Sequence, residues 1–192
     1  MLRHLALAGP ALLAACGGDA APRQSPRVVD SSVAPAATAS VQDSGVPFRD
    51  ENATFHRSRS GMSAAVLQTV SATAQPDFDR VVLEFAADSP PGYDVSYADR
   101  PLQECGSGDV VRVAGNARLL VRLEPARAHH DDGTPTATAR LLAPALPVVR
   151  EMKLICDFEG QVQWVLGLAE PRRYRVLEPP GRPRLVIDVH HE

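Results

Sequence analysis

From about residue 61 onward the chain changes sides at every residue. Val81, Leu83 and Phe85 alternate with Arg80, Val82 and Glu84, and Leu119, Val121 and Leu123 alternate with Arg118, Leu120, Arg122 and Glu124. Val162, Trp164, Leu166 and Leu168 keep the same period, as do Leu185, Ile187 and Val189 against Arg184, Val186 and Asp188. Met152, Leu154, Cys156 and Phe158 alternate with Glu151, Lys153 and Asp157, with Ile155 interrupting the polar side. A period of two sends successive side chains to opposite faces of an extended strand, so these runs require sheets with one buried face. No stretch holds the helical period over three turns; Ala137 to Leu146 comes nearest, and Pro144 and Pro147 curtail it.

Turn chemistry punctuates the runs at Gln75-Pro76-Asp77, Asp88-Ser89-Pro90-Pro91-Gly92, Gly106-Ser107-Gly108-Asp109, Ala114-Gly115-Asn116, Asp131-Asp132-Gly133 and Pro179-Pro180-Gly181. Glu159-Gly160 sits between two alternating runs and reads as a tight hairpin that sends Trp164 into the core. The expectation is all-β: a two-sheet β-sandwich of short antiparallel strands over residues 61–192. A domain of that size buries roughly two-thirds of its surface, enough to fold alone.

The N-terminal third is of another kind. Arg3 precedes an apolar run from Leu5 to Ala15, too short for the ~18 residues of a membrane span but suited to a secretory signal. The run closes on Leu13-Ala14-Ala15-Cys16, followed by Gly17-Gly18, which resembles the lipobox of bacterial lipoproteins. The resemblance implies a signal peptide over 1–15 and diacylglycerol on the Cys16 thiol. It also implies a membrane-anchored protein on the extracytoplasmic face, at the outer membrane if the cell has two. Acyl chains contribute ~0.8 kcal/mol per buried methylene, so two or more make a stable anchor. The plainer reading is an ordinary signal peptide with an incidental cysteine. From Gly17 to Ser60, Ala, Ser, Pro, Thr and Gly supply 23 of 44 residues, and the few large apolar ones follow no period. Such a segment buries too little to offset its chain entropy, so 16–60 is expected to be the lipidated cysteine and a disordered tether spanning ~35 Å. Its junction with the domain falls between about Glu51 and Ala65, since Phe48 and Phe55 are able to pack onto the domain.

Once Cys16 is lipidated, Cys105 and Cys156 remain as an even pair in an oxidising compartment, and a disulfide between them is expected. Two buried thiols are the alternative.

The runs Phe78 to Phe85, Pro91 to Tyr97, Asp157 to Gly160 with Trp164 to Leu168, Tyr174-Arg175-Val176 and Arg184 to Val189 together resemble the AMIN-like domain of bacterial lipoproteins, over residues about 65 to 190. That domain is distantly similar to the AMIN domain of cell-wall amidases and pilus secretins. The resemblance implies a small β-sandwich that binds peptidoglycan and localises whatever is attached to it.

Searched for chemistry, the sequence yields little. A net charge of −3 excludes the electrostatic footprint of a nucleic-acid binder. His129-His130-Asp131-Asp132 has metal-ligating side chains, but adjacent ligands diverge on an extended chain, and Asp131-Asp132-Gly133 suits a turn. His190-His191-Glu192 ends the chain and is expected to fray. Ser107 stands between glycines without completing a nucleophile elbow, and neither His-Glu-x-x-His nor a phosphate-cradling loop occurs. No catalytic residue, metal or cofactor is therefore expected. Arg118, Arg122 and Glu124 share one strand face, with Arg112 expected on a neighbouring strand; together they make a platform for glycan or peptide carboxylates, or an ordinary solvated face. Tyr93 and Tyr97 suit either stacking on sugars or filling core. The leading expectation is a non-catalytic, lipid-anchored envelope protein that binds peptidoglycan or another wall polymer. The alternatives are a protein-interaction module of an envelope complex, and a metal-binding or enzymatic lipoprotein using the His129 to Asp132 loop.

Overall fold

The computed structural model describes residues 45–137 and 139–192, and within them there are eleven strands and no helix. The expected signal peptide over 1–15, the expected lipidation at Cys16 and the expected tether as far as residue 44 fall outside the described residues.

Two sheets form. The six-stranded sheet runs in the order β1 (Phe55–Arg57), β4 (Gly92–Tyr97), β5 (Ala117–Glu124), β9 (Gln161–Leu168), β8 (Val149–Phe158), β7 (Leu141–Leu142). The five-stranded sheet runs β10 (Tyr174–Leu177), β11 (Arg184–His190), β3 (Phe78–Ala86), β2 (Ala65–Ala74), β6 (Ala126–Arg127). Neighbours are antiparallel except β2 and β6, which run parallel over two residues. The inward positions of both sheets interleave in one core: Val81, Leu83, Leu185 and Ile187 from one side meet Leu119, Val121, Trp164 and Leu166 from the other. Trp164 is fully buried at its centre. Glu159 and Gly160 both take positive φ, the geometry of a two-residue hairpin matched to strand twist, and so join β8 directly to β9.

Polar groups lock the sandwich where alternation alone leaves it open. The Asp79 carboxylate, fully buried at the start of β3, accepts the backbone N–H groups of Val148 (2.7 Å) and Val149 (2.8 Å), at the entry to β8 in the opposite sheet. Its other oxygen lies 3.0 Å from His191 Nε2. The C-terminus is therefore held rather than frayed, since His190 pairs with Phe78 and the His191 N–H donates to the Asp77 carbonyl. Asp188 accepts both from Arg80 (2.7 and 2.8 Å) and from Arg175 (2.9 Å) on the outer side of the five-stranded sheet.

The fold begins earlier than residue 61. Phe48 packs its ring against Phe78 and His190, with the Arg175 guanidinium 4.5 Å from its centroid, and Arg49 exchanges backbone hydrogen bonds with Tyr174. Phe55 meets Tyr174 edge-on, and its strand closes the six-stranded sheet against β4. A three-residue strand is too short to show a period, which is why it was hidden in polar sequence.

No helix forms among the described residues of 137–146; Leu141 and Leu142 pair instead with Lys153 and Met152 as β7.

Candidate functional site

The outer face of the six-stranded sheet divides into a covered part and an open part. The long connection from β4 to β5, residues 98–116, folds back over the sheet. Val111 is buried against Ile155 and Val165, and Leu102, Val113 and Leu120 pack around them. Ile155, which broke the polar side of its run, is thus apolar because a loop covers it. A register shift between Leu154 and Cys156 then turns Cys156 and Phe158 to the outer face instead of the core. Cys156 meets Cys105 of the loop there, and the two form a disulfide with 5.2 Å between Cα atoms. At the loop's far end the backbone crosses β9 so closely that a Cβ on Gly167 would lie 2.1 Å from the Ala114 carbonyl oxygen. Only glycine fits at 167.

Beyond the loop the face is bare and polar. The register aligns His56, Asp94, Arg122 and Gln163 in one row across β1, β4, β5 and β9. Gln161 of the next row donates to Glu124 at 3.4 Å, and Phe158, opposite Gln161, is 60% exposed at the row's end. His56 Nδ1 stands 3.5 Å from the Asp94 carboxylate. Along its edge lies a groove of about 610 Å³ whose walls include His56, Arg57, Tyr93, Asp94, Arg122 and Glu124. Arg57 and Arg59 are both engaged by Glu178, Arg57 at 3.0 Å, and Arg59 also donates to the Pro91 carbonyl at 3.1 Å. The Arg122 side chain is exposed and has no hydrogen bond or ion pair among the described residues. The groove therefore offers one free guanidinium among carboxylates, with the carboxamides of Gln161 and Gln163 on the adjoining strand, a donor–acceptor set for hydroxyls, amides and carboxylates.

The structure brings together two of the five candidate ligand residues, Tyr93 and Arg122. Arg118 is also exposed on β5, but Leu120 lies between them under the loop, so the two arginines border opposite sides of the covered patch. Arg112 is not on a strand: it stands exposed in the loop between Val111 and Val113, whose side chains turn toward the sheet. Tyr93 and Tyr97 share the inward parity of Val95 and are half-buried against the core, so neither presents a free ring for stacking. The Tyr97 hydroxyl donates to the Arg172 carbonyl at 2.8 Å and its ring meets Tyr174 edge-on. Burial raises the pKa of Tyr93, with the Glu178 carboxylate adding to the effect, and burial likewise raises that of Tyr97.

In the His129 to Asp132 loop, each side chain with a partner has a separate one. His129 Nδ1 lies 2.9 Å from Asp157, Asp131 pairs with Arg127, and Asp132 accepts the Thr134 N–H at 2.9 Å. The Thr134 hydroxyl also donates to Asp132 and holds its pKa below the usual value. Among the described residues no three His, Cys, Asp or Glu side chains converge as metal ligands.

Sequence reasoning missed His56, Arg57 and Arg59, which lie in the stretch read as tether. Phe48 and Phe55 were the signals available, and both rings pack onto the domain.

The profile of the AMIN-like domain matches residues 65–191, two-thirds of the chain and most of the described fold. Among curated proteins and among solved structures no match is found.

Proposed function

The chain belongs to the AMIN-like domain family, and from that membership we propose that it is a lipid-anchored, non-catalytic cell-envelope protein whose β-sandwich holds peptidoglycan or another wall polymer. The anchor is Cys16, and the extracytoplasmic face is its place. The Cys105–Cys156 disulfide supports an oxidising compartment. The observation that carries the reading is the open part of the six-stranded face, where Arg122 stands unpaired beside Asp94, Glu124, Gln161 and Gln163 on rigid strands. A flat polar row suits an extended polymer, and a free guanidinium suits its carboxylates through bidentate contacts.

Co-sedimentation with purified cell-wall sacculi tests this, using residues 17–192, which retain the whole described fold. The native chain should bind saturably at physiological salt. Losing a charge-assisted contact and gaining repulsion, Arg122→Glu should weaken binding by at least about tenfold. Arg118→Glu, beyond the covering loop, should change it less than about twofold. Absence of binding would overturn the wall-polymer reading and leave a protein partner as the alternative. Equal losses from both variants would discard the site.

A further inference from the structure

One margin of the sandwich is left open. β2 is ten residues long, but on its outer side β6 pairs only with Ala65 and Val66, and the Thr136 hydroxyl caps the Leu67 carbonyl at 2.5 Å. From Gln68 to Ala74, no strand among the described residues pairs with that side. The other margins are short or covered: β1 has three residues, β10 is met by Arg49, and along β8 the two residues of β7 are continued by the Leu154 N–H donating to the Arg140 carbonyl and the Cys105 N–H donating to the Ile155 carbonyl. An exposed strand edge offers unpaired N–H and C=O groups, and proteins normally blunt it with charge or proline. Gln68-Thr69-Val70-Ser71-Ala72-Thr73-Ala74 contains neither.

We propose that this edge joins a second copy of the chain, β2 against β2 in antiparallel register about a two-fold axis at Ser71. Three observations favour a second copy. Under that axis Val70 faces Ala72 of the other copy, Thr69 faces Thr73, and Ser71 faces itself. The apolar pairs therefore fall on the core side and the hydroxyl pairs on the solvent side, as cross-strand packing prefers. Val70 and Ala72 are half-buried against the main core, so the interior is incompletely closed along this edge, and a second Val70 and Ala72 would close it. The lengths also match. Gln68 would face Ala74 of the other copy, beyond which the chain turns away at Gln75-Pro76-Asp77 just where β6 begins on the first. With no charge on the edge, no repulsion opposes the pairing.

The two five-stranded sheets would merge into one ten-stranded sheet. Seven residues make a seam of about 23 Å, small beside a standard interface, so the pair should form in the micromolar-to-millimolar range. The inference does not depend on the wall-polymer reading, although two platforms on one polymer would gain avidity.

Sedimentation equilibrium of residues 17–192 should show a monomer–dimer equilibrium that shifts with concentration. Ser71 is exposed, so Ser71→Lys should leave thermal unfolding unchanged while placing two like charges face to face and abolishing the dimer. Ser71→Cys should oxidise to a covalent dimer at least about tenfold faster than Asp99→Cys, an exposed position off the edge. A monomer at every concentration up to about 1 mM, association that survives Ser71→Lys, or equal cross-linking at 71 and 99 would each overturn the proposal.

Discussion

At the scale of single residues, the fold spends its tyrosines on the interior. All three are placed with rings against the core, and Tyr174 is fully buried between the sheets. Its hydroxyl lies 2.9 Å from the Val95 carbonyl and 2.5 Å from that of Ala53, joining β10 to β4 and to the segment before β1. Burial raises the Tyr174 pKa far above the usual tyrosine value, and it raises those of Tyr93 and Tyr97 as well. A pKa higher in the folded state means that stability is complete below the unfolded value, near 10, and falls as pH rises through the folded values. Denaturant unfolding should therefore show a constant midpoint from pH 8 to about 10 and a decline above it, with no tyrosine ionising at its ordinary pH in the native spectrum. Tyr174→Phe should cost about 1–3 kcal/mol at neutral pH by stranding the carbonyls, and should flatten the alkaline decline. An unchanged alkaline slope in that variant would show that Tyr174 ionisation does not drive the decline.

At the scale of elements, the β4–β5 loop decides which part of the six-stranded face is open. It is fastened by the Cys105–Cys156 bridge, by Val111 on Ile155 and Val165, and by the close crossing at Gly167. Replacing both cysteines with alanine should lower stability by ~4 kcal/mol in the chain-entropy model for a separation of 51 residues. Hydrogen exchange should accelerate most at residues 98–116, and uniform exchange across the fold would contradict this placement of the loop. These elements also show where sequence was readable. Long strands with one buried face announced themselves by alternation, as at Leu119 to Leu123 and Leu185 to Val189. Ile155 looked like an error in its run because the covering loop comes from sequence fifty residues away. The bulge that turned Cys156 and Phe158 outward left no local mark, since one inserted residue reverses every later side chain. β1 carries too few residues for any period, and so His56 and Arg57 of the groove went unread. Arg122 was legible as a solvent-facing strand residue; its separation from Arg118 by a covering loop was not.

At the scale of the whole molecule, the two sheets present different outer surfaces. The five-stranded sheet buries Arg80, Arg175 and Asp188 on its outer side and receives Phe48 and Val46 of the N-terminal segment, with the Val46 carbonyl accepting from Arg175 at 3.0 Å. That side is committed to holding the start of the fold. The six-stranded sheet keeps its polar row open, with His56 and Arg122 exposed and Asp94, Gln161 and Gln163 half-buried, and the groove at its edge is lined in part by β1. One face thus secures the start of the fold, and the other carries the face proposed to bind the wall polymer. The most direct test is an amide chemical-shift map of isotopically labelled residues 17–192 titrated with soluble glycan–peptide fragments of the cell wall. Shifts should concentrate at His56, Asp94, Arg122, Gln161 and Gln163. Shifts confined to the β10–β11 side, or none at saturating fragment, would contradict it.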